Sequence, residues 1–199
     1  ETLPASEKLT LFWSSFFTTE FVSDDTYIPP QMLYRQNAFI RKNRLGNFKA
    51  FVKDITLDPS MLVYLGNVLN IKGRPNENYA REFFELFTIG KGPQIGVGNY
   101  TTYTEADVVQ AARVLTGFRR LNTRTIIDSD TSLPKGYNVF SLHHTSPKTF
   151  SSAFNNTVIT AATNDVGMDT ELNDFVNMIF NQQATAKNIC RKMYIYFVK

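Results

Sequence analysis

The sequence is poor in the features that most often announce a function. Its 199 residues include one cysteine, Cys190, which excludes an internal disulfide and any centre built from several thiolates. No apolar run approaches the ~20 residues that a membrane span requires. The 21 basic and 18 acidic residues leave a net charge of +3; no basic stripe dominates, so no nucleic-acid partner is expected. HExxH, GxxxxGK[ST] and GxSxG patterns are all missing, which removes the commonest signatures of zinc hydrolysis, phosphate cradling and serine catalysis. What is present is apolar: 43% of residues are hydrophobic and 14% aromatic. A chain of this length buries roughly 70% of its unfolded surface, enough to fold without a disulfide or a metal.

The apolar residues recur at helical spacing. Ser6 is a candidate cap for a helix with Leu9, Phe12, Trp13, Phe16 and Phe17 on one face. Pro29-Pro30 breaks the chain and starts a second, with Leu33, Gln36, Asn37 and Ile40 inward. Asn47 caps a third, with Phe48, Phe51, Val52 and Ile55 inward, and Asp58-Pro59 starts a short fourth through Met61, Leu62 and Leu65. Thr104 and Asp107 form a capping box ahead of Val108, Ala111, Ala112 and Leu115, with Gly117 as terminator. Leu172, Phe175, Val176, Ile179 and Phe180 define another helix, and Ala186, Ile189, Cys190, Met193 and Phe197 the inner face of a last one.

From about 118 to 160 the composition changes to Thr, Ser and Asn, with a turn at Pro134-Lys135-Gly136. Residues 123–127 and 137–142 could pair there as a short hairpin. The expectation is therefore a mainly α, bundle-like single domain over 1–199, of about seven helices, with one irregular or β-hairpin insertion at about 118–160. The chain opens at Glu1 without a signal segment and stops after Tyr194, Tyr196 and Phe197. That reads as a piece of a longer protein, whose flanking segments are candidate partners for the exposed apolar surface.

Chemistry concentrates in one stretch, Pro75-Asn76-Glu77-Asn78-Tyr79-Ala80-Arg81-Glu82-Phe83-Phe84-Glu85-Leu86-Phe87. Asn76 can cap a helix that Gly90 ends. On a regular helix Glu77, Asn78, Arg81, Glu82 and Glu85 share an arc of about 140°, while Tyr79, Phe83, Leu86 and Phe87 face a core. Such a polar arc has two readings. In one, Glu77, Arg81 and Glu85 form an i, i+4, i+8 ladder of surface ion pairs, the commoner outcome for this spacing. In the other, the glutamates and Asn78 converge on a ligand, as acid and base or around a hard cation. His143 and His144, in the turn-rich segment up to Lys148, are the only histidines. One of them, taken here as His144, could join such a site; a surface or hydrogen-bonded loop histidine is the commoner fate. The glycine-rich segment Gly90–Gly98 reads as a connection between helices, and Cys190 as a core residue.

At this stretch the sequence resembles the bacterial family catalogued as domain of unknown function 1800. The matching pieces include Leu45-Gly46-Asn47-Phe48, Gly73-Arg74-Pro75-Asn76-Glu77-Asn78-Tyr79-Ala80-Arg81-Glu82, Glu85-Leu86-Phe87-Thr88-Ile89-Gly90, Ala112-Arg113-Val114-Leu115-Thr116-Gly117-Phe118, and His144 with Lys148. They run in family order over nearly the whole chain. The resemblance implies an exported protein, periplasmic or at the cell surface and longer than this chain, and supplies no activity. Many relatives carry Trp-His-Asn-His-Phe where this chain has Trp13-Ser14-Ser15-Phe16-Phe17, so two imidazoles are replaced at Ser14 and Phe16.

Two functions follow as expectations. The first is a non-catalytic extracytoplasmic binding or assembly module presenting the polar cluster Asn76, Glu77, Asn78, Arg81, Glu82 and Glu85, with His144 and Lys148. The second is a hydrolase that uses those glutamates with His144, with or without a divalent cation. The sequence assigns no catalytic residue, metal or cofactor.

Overall fold

A computed structural model describes residues 4–23, 26–120, 132–133 and 135–199. The fold is mainly α. Eight α-helices occur among the described residues, with only two-stranded antiparallel ribbons beside them. The helices are α1 (Ala5–Phe16), α2 (Pro30–Asn43), α3 (Phe48–Thr56), α4 (Pro59–Tyr64), α5 (Asn78–Glu82), α6 (Glu105–Val114), α7 (Asp165–Phe180) and α8 (Gln183–Phe197). The chain divides into two compact units, residues 1–65 with 119–137, and residues 66–118 with 138–199.

The first unit packs α1 through α4 around aromatic side chains. Trp13 stacks on Phe48 at 4.9 Å and meets the edge of Phe51 at 5.4 Å, while its indole N–H donates to the Arg44 carbonyl. The caps expected at Asn47 and Asp58 are formed: Asn47 accepts from the Ala50 N–H, and Asp58 from those of Ser60 and Met61. Pro4, not Ser6, precedes the first helical residue of α1, and no side chain caps it. On α2 the buried stripe is Met32, Arg35, Gln36 and Ile40, whereas Leu33 is half-buried and Asn37 exposed. Polar partners rotate the helix this way. Arg35 reaches the buried carboxylate of Asp58 at 2.6 Å, and Gln36 bonds to the Phe17 carbonyl and the Thr19 hydroxyl. Phe16 packs on Trp13, and Ser14 lines a hollow of about 160 Å³ with Thr19, Gln36 and Asn37.

In the second unit α6 and α7 form the centre, with α5 against α6 and α8 against α7. Val108, Ala111, Ala112, Leu115, Leu172, Phe175, Val176 and Ile179 are all buried, as their spacing implies. The capping box at Thr104 and Asp107 is complete. Beside the ribbon of β1 (Val22–Ser23) and β2 (Thr26–Tyr27) in the first unit, short ribbons here pair β3 (Gln94–Gly96) with β4 (Asn99–Tyr100) and β7 (Lys148–Thr149) with β8 (Val158–Ile159). The glycine-rich connection is thus a hairpin in part. Of the hairpin expected inside 118–160, residues 123–127 lie outside the described residues; β6 (Gly136–Asn138) pairs with β5 (Phe118–Arg120), and 140–142 form a 3₁₀ turn. On α8 only Thr185 and Ile189 are buried. Cys190, expected in the core, is exposed, as is Ala186. One turn of α8 against α7 covers a narrow strip, and the sequence spacing exceeds it.

Candidate functional site

The polar stretch does not form one regular helix. Asn76 Oδ1 accepts from the Asn78 N–H at 3.0 Å, but Glu77, not the expected Asn76, is the residue that precedes α5, and its side chain makes no cap bond. After Glu82 the backbone widens into a π-turn over Phe83–Phe87. Such turns insert a residue and shift every later side chain around the axis. Phe84 therefore enters the core, stacked against Tyr103 at 5.3 Å and Phe154 at 5.6 Å, while Leu86, expected inside, is exposed. The turn is held by neighbours: the Thr88 hydroxyl donates to the Phe83 carbonyl, Asn188 to that of Thr88, and Lys192 to that of Leu86. Gly90, at φ +75°, closes it.

The π-turn also splits the anticipated ladder. Arg81 lies 3.7 Å from Glu77 but forks both guanidinium nitrogens onto Glu105, at the start of α6. That hydrogen-bonded contact holds the Glu105 carboxyl below its ordinary range. Glu85 instead accepts from the Tyr103 hydroxyl and faces Lys91 at 3.3 Å. Lys91 in turn sits 4.7 Å above the Tyr100 ring. Burial, then the bond to Glu85, pushes the Tyr103 hydroxyl up. Glu82 is half-buried, and desolvation, with Glu85 nearby, raises its carboxyl. Asn78 is exposed.

His144 and Lys148 belong to a different cluster. Lys148 is fully buried; its ammonium contacts the Glu171 carboxylate and donates to the His144 carbonyl at 2.6 Å. His143, equally buried, places Nδ1 2.8 Å from the Thr116 carbonyl, so Nδ1 carries a proton. Its Nε2 lies 3.1 Å from Glu171 and 3.5 Å from the Lys148 ammonium. The Ala162 N–H completes the shell of Glu171 at 2.7 Å. Burial lowers the Lys148 ammonium's pKa against the opposing pull of Glu171. His144 is half-buried: its N–H donates to the Thr116 hydroxyl, and its ring, lowered by desolvation and by Arg113, turns one nitrogen to the Ser146 N–H. Glu77, Glu82 and Glu85 are not among its partners.

The structure thus brings Glu77 and Arg81 together, separates Glu85 from them, and assigns Lys148 to a buried network with His143 and Glu171. Sequence reasoning missed two of these participants. Glu171 stands four residues before Phe175 and three after Met168, so it interrupts an apolar stripe, which is the usual mark of a buried charge. Glu105 directly follows the Thr104 cap, and its position carries no such mark. Among the described residues no group of three or more His, Cys, Asp or Glu side chains is placed to hold a metal ion. No helix there is long and apolar enough to cross a membrane.

The remaining feature is an open hollow of about 380 Å³ lined by Leu69, Arg74, Pro75, Asn76 and Glu77. Its floor is anchored by a chain of asparagines. Asn70, fully buried, donates to the Ala112 carbonyl and to Asn67, and accepts from the Asn76 N–H; Asn67 reaches the Leu115 carbonyl. No curated protein and no solved structure matches the chain. A family described as "Protein of unknown function (DUF1800)" matches over residues 2–199, and the chain belongs to that family.

Proposed function

We propose that this chain is a non-catalytic binding or assembly module acting outside the cytoplasm, and that its recognition face is the polar surface around Asn76, Glu77 and Arg81. The observation that carries this reading is the hollow bordered by Arg74, Asn76 and Glu77, open to solvent and set on a buried asparagine network. A rim fixed this way needs little ordering on binding, which favours recognition. Most of the groups suited to proton transfer are otherwise engaged: Glu77 and Arg81 with each other and Glu105, Glu85 with Tyr103 and Lys91, and the Lys148–Glu171–His143 cluster out of solvent's reach. The location outside the cytoplasm rests on the family resemblance, and recovery of a tagged gene product in the cytoplasmic fraction would overturn it.

The competing reading, a hydrolase built on Glu77, Glu82 or Glu85 with His144, draws support from the raised carboxyl of Glu82. One assay separates the two. The purified chain is expected to leave ester, phosphate, peptide and glycoside substrates untouched, with and without divalent cations. Turnover that disappears in Glu77→Gln or Glu82→Gln would overturn the binding reading.

A further inference from the structure

The hollow's chemistry points beyond binding in general to one kind of ligand. One of its lining residues, Arg74, ends a tight turn, Ile71-Lys72-Gly73-Arg74, closed by a reciprocal backbone pair between Ile71 and Arg74. Gly73 makes the corner at φ +82°, with open space where a Cβ would stand. The Lys72 N–H is tied to the Leu142 carbonyl at 2.7 Å, and Asn70 and Asn76 fix the chain on either side. A turn so held presents its side chains from a rigid mount.

Lys72 and Arg74 are both exposed, and neither side chain has a hydrogen-bond or ion-pair partner among the described residues. Beside them lie Leu69, 65% exposed, and Pro75. Across the hollow stands Glu77, whose charge is partly met by Arg81 at 3.7 Å. Taken together, these are an unpaired guanidinium, a neighbouring ammonium, an apolar shelf and a single acceptor.

Resting on the binding reading above, we infer that this turn is a docking hook for an acidic peptide segment of a partner protein. Arg74 takes a side-chain carboxylate through its paired N–H groups, Leu69 and Pro75 hold a flanking aliphatic residue, and Glu77 accepts a peptide N–H. Lys72 adds a positive field that draws the acidic segment in. Glu77 also gives selectivity. A dianionic phosphate would set its charge against that carboxylate, whereas a peptide offers it a neutral N–H next to the acidic side chain.

The test is a titration of the full ¹⁵N-labelled chain followed by amide shifts. The probes are acetyl-Leu-Asp-Leu-amide, its Asn counterpart and inorganic phosphate. The Asp peptide is expected to move Gly73, Arg74, Asn76 and Glu77 and to saturate in the millimolar range. The Asn peptide should bind at least about tenfold more weakly, since it lacks the charge that a guanidinium fork recognises. Arg74→Ala, which removes an unpartnered side chain and leaves the fold intact, should abolish the response; Lys72→Ala should weaken it and flatten its salt dependence. The inference is overturned if Asp and Asn peptides act equally, if phosphate moves these amides more strongly, if the shifts map elsewhere, or if Arg74 is instead covered by concentration-dependent self-association. Absent turnover together with an inert Asp peptide would leave a binding module for another ligand class, so failure here is distinct from failure of the broader reading.

Discussion

Lys148 and Glu171 are the clearest case in which a single residue decides local stability. Both are buried to within 1% of their surface, and Glu171 draws contacts from Lys148, His143 and the Ala162 N–H. Burying charges is costly, so the cluster persists only because each member compensates another. Removing one partner leaves an uncompensated charge in the core. Lys148→Met should therefore cost about 3–5 kcal/mol in urea unfolding, and adding Glu171→Gln should return part of that loss. A Lys148→Met variant as stable as the parent would show that the pair contributes nothing. Of this pair, Lys148 was picked out by its place in the family-like segment; Glu171 was missed, although it interrupts the stripe from Met168 to Phe175. That they meet was not legible, because they stand 23 positions apart, on β7 and on α7.

At the scale of elements, local rules placed starts and stops well. Asn47, Asp58-Pro59 and the Thr104 box all cap as their side chains allow. Gly117 shows why a terminator can also be a packing residue. It adopts φ +81°, its N–H donates to the Asn70 carbonyl, and its own carbonyl accepts from Val139. A Cβ there would sit 2.8 Å from the Val139 oxygen and 3.1 Å from the His143 nitrogen. Gly117→Ala should thus destabilise the chain by about 2 kcal/mol or more, the left-handed penalty plus a backbone clash. Thermal unfolding measures it, and an unchanged midpoint would refute the clash. Periodicity failed where an element is not a regular helix or where polar partners set its rotation. The π-turn moved Phe84 inward and Leu86 outward, and on α2 the bonds of Arg35 and Gln36 turned Asn37 to solvent. Cys190 failed for a third reason, since α8 shows its spacing to solvent along most of its length.

For the molecule as a whole, two of the charged networks of the second unit share no ion-pair partner among the described residues. One is on the surface, from Glu77 through Arg81 to Glu105; the other is interior, from His143 through Glu171 to Lys148. Energies in separate networks add. The double variant Glu105→Gln with Lys148→Met should equal the sum of its singles to within about 0.5 kcal/mol. The surface member alone should cost no more than ~1 kcal/mol, as exposed pairs do. A coupling energy well above that bound would join the two networks into one. The near-even charge balance, +3 overall, fits this arrangement, since most acidic groups of the second unit's two networks face a cation.

The sequence by itself determined the mainly α class, most of the caps, and, from its whole length, the family. Class and caps depend on residues within a turn or two of one another, where spacing alone fixes which side chains share a face. The tertiary structure alone decided which polar groups meet. Arg81 finds Glu105 across 24 residues, and His143 finds Glu171 across 28. No local rule pairs groups at such separations; packing brings them together, and burial then obliges each charge or amide to keep the partner it meets.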